Sequence, residues 1–114
     1  MHKLVVLHYT PDNPEEARRY YRDVHIPIAA QTPNLRSCRF SLAPRAMDGS
    51  EPFFCVYEAT FDSREKMDEA FRTEIGQRVV ADAANFASAG SVVIHYELEE
   101  FPIAGGTTGD GRNG

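Results

Sequence analysis

NPEEARRYYRDVHIPIAAQTP, residues 13–33, holds the clearest helix start, the clearest helix break and the most reactive candidate side chain of the chain. Asn13 can cap a helix, Pro14 suits the first helical position, where no N–H is needed, and Glu16 follows as a capping-box partner. Ala17, Tyr20, Tyr21, Val24 and Ile28 recur at helical spacing, while Glu15, Arg19, Arg22 and Asp23 fall opposite. The spacing predicts an amphipathic helix with a Tyr-rich buried stripe. Pro27 cannot donate to the carbonyl of Asp23 and its ring collides with it, so the helix should kink or stop near His25 and Ile26. His25 then sits at a disrupted helix end, with two readings open. It satisfies carbonyls at a helix C-terminus, where the dipole favours imidazolium, or it is a general acid/base beside a pocket.

Outward from this stretch the chain reads as sheet and support. Residues 3–9, KLVVLHY, are β-branched and apolar and end at a Thr-Pro-Asp turn, which predicts a first strand. Residues 35–42 alternate, with Cys38, Phe40 and Leu42 on one side and Ser37, Arg39 and Ser41 on the other. Asp48-Gly49-Ser50 marks a turn, and residues 53–61 supply the second arm of a hairpin. A second helix begins at an Asp62/Glu65 capping box, presents Met67, Ala70 and Phe71, and is interrupted over residues 73–76. Val79, Val80, Ala83, Ala84 and Ala87 continue it until Gly90 supplies a C-terminal cap, and residues 92–101 form the last strand. The order β-α-β-β-α-β implies a four-stranded antiparallel sheet with both helices on one face, the ferredoxin-like α+β arrangement. Read by alternation, the other face carries Leu4, Val6, His8, Arg39, Phe54, Val56, Glu58, Val93, His95 and Glu97. An open patch of that kind calls for a partner, and a twofold homodimer uses it twice.

Tyr20-Tyr21-x-x-x-His25-x-Pro27, followed by Pro33-x-Leu35, Glu58-x-x-Phe61-Asp62-Ser63 and Asp82-x-x-x-Phe86, resembles the EthD family, named for a protein of ethyl tert-butyl ether degradation. The resemblance spans roughly residues 1–101. It implies a dimeric α+β barrel that encloses a cavity for a small, largely apolar metabolite. It also implies catabolic or secondary metabolism, an oxidoreductase association, and relatives that include cofactor-independent monooxygenases, isomerases and polyketide cyclases.

Composition narrows the field. At 114 residues the chain is one domain, and a formal charge of −5 without any Lys/Arg run gives no footprint for nucleic acid or an anionic membrane. No segment resembles a signal or membrane-spanning run, so a cytoplasmic protein is expected. Cys38 and Cys55 form no CxxC pair and read as small core residues rather than a disulfide.

For chemistry, the topology places His25 and Glu58 at one end of the sheet. His25 is the candidate acid/base and Glu58 its support. Tyr21, Arg39, Val6, His8, Phe54, Val56 and His95 are candidate substrate-binding residues, with Arg39 available to orient a carboxylate or enolate. An internal Arg39–Glu58 or His25–carboxylate pair that only pins the dimer is the alternative. A metal centre is not expected: His8 and His25 are placed on the order of 15 Å apart, against ligand distances of about 2 Å. Neither H-x-H nor H-E-x-x-H occurs. No nucleotide loop or nucleophile elbow is present either, so no tightly bound cofactor is expected. Proton transfer is the reaction best supported; a non-catalytic accessory protein that binds a ligand or assists a monooxygenase is the competing class. Residues 1–103 form the folded domain, and residues 104–114, AGGTTGDGRNG, lack the apolar side chains that would offset the entropy of ordering. Deleting residues 104–114 is therefore expected to leave the melting temperature and the oligomeric state unchanged; a drop of several degrees in a thermal melt would show that the tail packs.

Overall fold

The computed structural model describes residues 1–105, so residues 106–114, most of the expected tail, lie outside the described residues. The chain runs β1 (His2–Tyr9), α1 (Pro14–Tyr20), a π-helical turn (Tyr21–His25), α2 (Ile26–Ala29), β2 (Ser37–Ser41) and β3 (Phe53–Phe61). It continues with α3 (Arg64–Arg72), α4 (Glu74–Asp82), a 3₁₀ turn (Ala83–Asn85) and β4 (Ser91–Glu97). The four strands form one antiparallel sheet in the order β2-β3-β1-β4, the ferredoxin-like α+β topology that the element order predicts.

Local chemistry sets the helix boundaries. The Asn13 side chain accepts from the Glu16 amide at 3.3 Å and Pro14 opens α1. Pro27 does not stop the helix. The turn ahead of it widens so that the Ile26 amide bonds to the Tyr21 carbonyl, five residues back, and helical structure resumes through Ala29. Ser63, not Asp62, caps α3: its hydroxyl accepts from the Lys66 amide at 3.2 Å, so the helix starts one residue later than the Asp62/Glu65 box predicts. Thr73 both ends α3, donating its hydroxyl to the Ala70 carbonyl at 2.6 Å, and caps α4 by accepting from the Gly76 amide at 3.1 Å.

Strand register decides which residues face the helices. Paired residues of an antiparallel sheet share a face. His2, Leu4, Val6 and His8 pair with Phe61, Ala59, Tyr57 and Cys55 on β3, and with Glu97, His95, Val93 and Ser91 on β4. Leu4, Tyr57, Ala59 and Phe61 pack with Ala29, Met67 and Ala70 in one cluster; Ala17, Tyr21, Leu42, Phe54, Cys55 and Phe86 form a second. The expected open face is corrected accordingly. Leu4, Val6, His8, Val93, His95 and Glu97 belong to the helix side, and Phe54 is buried in the core beside a register shift at His8/Tyr9. Only Arg39, Val56 and Glu58 of that set lie on the open face, joined there by Val5, Leu7, Val92, Ile94 and Tyr96. The error arises because KLVVLHY is apolar on both faces, so alternation cannot choose between them. Cys38 and Cys55 are free thiols, with Cys55 buried.

At the α3–α4 corner, a Cβ on Gly76 would stand 2.2 Å from the Ala70 carbonyl oxygen and 2.8 Å from the Phe71 Cα, both backbone atoms that cannot swing aside. Gly76→Ala is therefore expected to destabilise the fold by about 1–3 kcal/mol, a fall in melting temperature on the order of 4–12 °C for a domain of this size. An unchanged melt would show that the two helices can separate freely.

Candidate active site

A cavity of about 140 Å³ lies between the helix side of the sheet and the helices. Its floor is Leu4, Val6, His8 and Tyr57, its wall Tyr21, His25 and Ala29, and its roof Phe71, Val79, Val80 and Ala83, with Ser91 and Val93 on the β4 side. Val80 and Val93 are 63% and 60% exposed, so the cavity opens beside the edge strand. No Lys, Arg, Asp or Glu lines it. Neutral, mainly apolar occupants fit such walls.

The π-helical turn brings Tyr21 and His25 into this cavity together, both buried, with ring centroids 5.0 Å apart. Nδ1 of His25 donates to Asp82 Oδ2 at 2.8 Å. Asp82, the last residue of α4, also accepts from the Tyr20 hydroxyl at 2.7 Å and from Asn85 Nδ2 at 3.0 Å. Burial opposes the charged carboxylate, but the hydrogen bonds from Tyr20, His25 and Asn85 outweigh it and hold Asp82 below the usual carboxylate range. For His25, burial outweighs the hydrogen bond and charge of Asp82, so its pKa falls below the ordinary 6.5 and the ring is neutral at pH 7. The Asp82 bond fixes the tautomer, leaving Nε2 with a free lone pair.

His8 lines the same cavity. Its Nδ1 lies 2.7 Å from Ser91 Oγ, and burial, with the nearby His25, lowers its pKa to about 4. Phe86 packs edge-on against both imidazoles, with ring centroids 4.9 Å from His8 and 4.6 Å from His25. His8 and His25 thus stand at one site, not at opposite ends of the sheet. Even so, among the described residues no three His, Cys, Asp or Glu side chains are grouped to hold a metal ion. The fully buried Tyr21 hydroxyl has no hydrogen-bond partner of good geometry among the described residues. The Cys55 thiol beside it is a weak partner, and burial pushes the phenol ionisation far up.

The structure brings Val6, His8, Tyr21 and His25 together and leaves the other candidates outside. Glu58 lies on the opposite face, 3.0 Å from Lys3 Nζ and 3.5 Å from Arg39 Nη2, so neither it nor Arg39 reaches the cavity. Val56 shares that face, and Phe54 backs the site from the core. His95 turns to His2, Nδ1 to Nε2 at 2.9 Å, away from the cavity lining. The partner of His25 is Asp82, which the sequence reading noted only as part of a motif. A signal for it exists: an acidic residue beside Val79 and Ala83 on an otherwise apolar helix face needs a buried donor.

Comparison with known proteins follows the same lines. Residues 12–90 match the model of the EthD domain family. An uncharacterized 11.0 kDa protein from the thcB-thcC intergenic region of Rhodococcus erythropolis is 28% identical over 101 residues, covering 87% of this chain and 96% of that protein. The crystal structure of an ethyl tert-butyl ether degradation (EthD) family protein from Bacillus halodurans C-125 superposes with a TM-score of 0.80 at 25% identity, over 87% of this chain and 99% of that one. A dimeric ferredoxin-like protein of unknown function from Thermobifida fusca shares the fold, with a TM-score of 0.65 at 15% identity, covering 85% of this chain and 90% of that one. With 79 contiguous residues matched by the family model and the same fold in a solved member, this chain belongs to the EthD family.

Proposed function

We propose that this protein is an acid/base enzyme that binds a small, neutral, largely apolar metabolite in the cavity between sheet and helices and moves a proton with His25. The observation that carries this reading is the oriented pair: a buried, neutral imidazole whose Nδ1–H is committed to a low-pKa carboxylate and whose residue lines an apolar cavity. A base of this kind accepts a proton at Nε2, and Asp82 stabilises the imidazolium that forms. The same deprotonation would open an oxygen-dependent reaction, with O₂ as co-substrate, as the oxidoreductase association of the family implies. A non-catalytic ligand-binding role is the competing reading, since the cavity alone would serve it.

A homodimer is proposed on the open sheet face. Val5, Leu7, Val56, Val92, Ile94 and Tyr96 share it, with Ile94 45% and Tyr96 41% exposed, and Glu58 in its middle is ion-paired to both Lys3 and Arg39. A twofold axis would bury the patch against itself. Among the described residues no helix is long and apolar enough to cross a membrane.

The wild-type chain is expected to sediment as a dimer at micromolar concentration. Val56→Arg, which sets an unpaired charge into the interface at a cost of several kcal/mol, should release monomers; a monomeric wild type removes the barrel from the proposal.

The catalytic reading is tested on a panel of lactones, quinones and polyketide-type phenols. His25→Gln is expected to fold and bind normally while turnover falls about 10²–10⁴-fold. The wild-type kcat/KM should stay flat near neutrality and decline on the acid side with an apparent pKa below 6.5, because the base must be neutral and burial lowers its pKa. Asp82→Asn removes the charge that raises the His25 pKa and should shift that limb to still lower pH. Binding without turnover across the panel favours the ligand-binding reading, and wild-type turnover by His25→Gln refutes the assignment of His25.

A further inference from the structure

We infer that His8 is the second reactive group of this site, donating from Nε2–H to the oxygen of a neutral carbonyl substrate while His25 removes a proton from the adjacent carbon. The inference rests on the proposed acid/base role of His25 and adds to it a substrate class. Three observations converge. First, the cavity carries no charged side chain, so a substrate carboxylate or phosphate would enter without a counter-ion. Second, its volume of about 140 Å³ is close to the ~150 Å³ of an apolar cavity that takes up benzene, which suits a six-membered ring. Third, the two buried imidazoles are held in complementary ways. Asp82 claims the Nδ1–H of His25 and leaves Nε2 an acceptor, whereas Ser91 Oγ meets Nδ1 of His8 at 2.7 Å. A serine hydroxyl can donate to that nitrogen, and the resulting tautomer carries its hydrogen on Nε2.

One acceptor and one donor on two residues that line a single small cavity match an enolisable ketone. His8 stays neutral down to about pH 4, so it acts as a neutral hydrogen-bond donor and not as an imidazolium acid. Phe86 packs edge-on against both rings, and burial leaves each imidazole only a few per cent exposed. In the step itself the C–H electron pair becomes the C=C bond of an enolate and the carbonyl π pair moves onto oxygen, where Nε2–H of His8 holds it. The proton goes to Nε2 of His25. Returned to the same carbon, it exchanges with solvent; returned to the far end of a conjugated system, it shifts the double bond. No oxidant or reductant is needed.

The experiment follows exchange of the α-hydrogens of cyclohexanone in D₂O by proton NMR at neutral pH, with benzene binding measured in parallel. Wild type should exchange well above buffer. His8→Leu, which removes the donor, should slow exchange about 10²–10³-fold while still binding benzene, and His8→Gln, which keeps an N–H, should recover part of the rate. Exchange by His8→Leu at the wild-type rate, with His25→Gln slowed, overturns the role of His8 and leaves the His25 base standing. Wild-type exchange by His25→Gln removes the base on which the inference rests. A wild-type chain that exchanges nothing overturns the carbonyl class, and equal losses in His8→Leu and His8→Gln that track a falling melting temperature reduce His8 to a packing residue.

Discussion

Pro27 has no amide hydrogen to give, and the arrangement of the site depends on how the chain absorbs that loss. A regular α-helix would set the ring against the Asp23 carbonyl. The chain instead takes one wider turn, Tyr21–His25, closed by the Ile26 amide on the Tyr21 carbonyl. That turn points two large side chains inward together and keeps the helix going to Ala29, whose side chain joins the core beneath. Ile26 packs against both hydrophobic clusters, so the same turn also joins the two halves of the core.

Electrostatics at the site is a contest between desolvation and a few directed hydrogen bonds. Asp82 has three donors and stays ionised despite its surroundings; His25 has one acidic neighbour, and burial prevails. The outcome is a neutral base next to a fixed charge, with Nδ1 and Nε2 given different roles by a single bond. Five rings around Phe86 (His8, Tyr20, Tyr21, His25 and Phe54) supply the low-dielectric packing that makes this contest matter.

The two faces of the sheet have separate chemistries. On the helix side lie the imidazoles and the apolar cavity; on the other, Glu58 is shared by Lys3 and Arg39 among aliphatic side chains. The carboxylate and guanidinium that looked like site residues are therefore balanced against each other on a surface suited to self-association. The carboxylate that meets His25 comes from the end of α4, more than fifty residues after His25 in the chain.

The sequence by itself determined the element order, the ferredoxin-like topology, the α1 cap, the break between α3 and α4 at Thr73, and His25 as the residue to watch. Each of these rests on local chemistry: a missing N–H, a side chain short enough to cap, a period of 2 or 3.6. Tertiary structure decided what local chemistry leaves degenerate. With β1 apolar on both sides, only pairing with Cys55, Tyr57 and Ala59 turned Val6 and His8 toward the helices, and a one-residue difference in parity exchanged the face assignments of β1 and β4. Likewise the partner of His25 could not follow from spacing, because packing of α4 against α2, and not proximity in the chain, is what brings the Asp82 carboxylate to Nδ1.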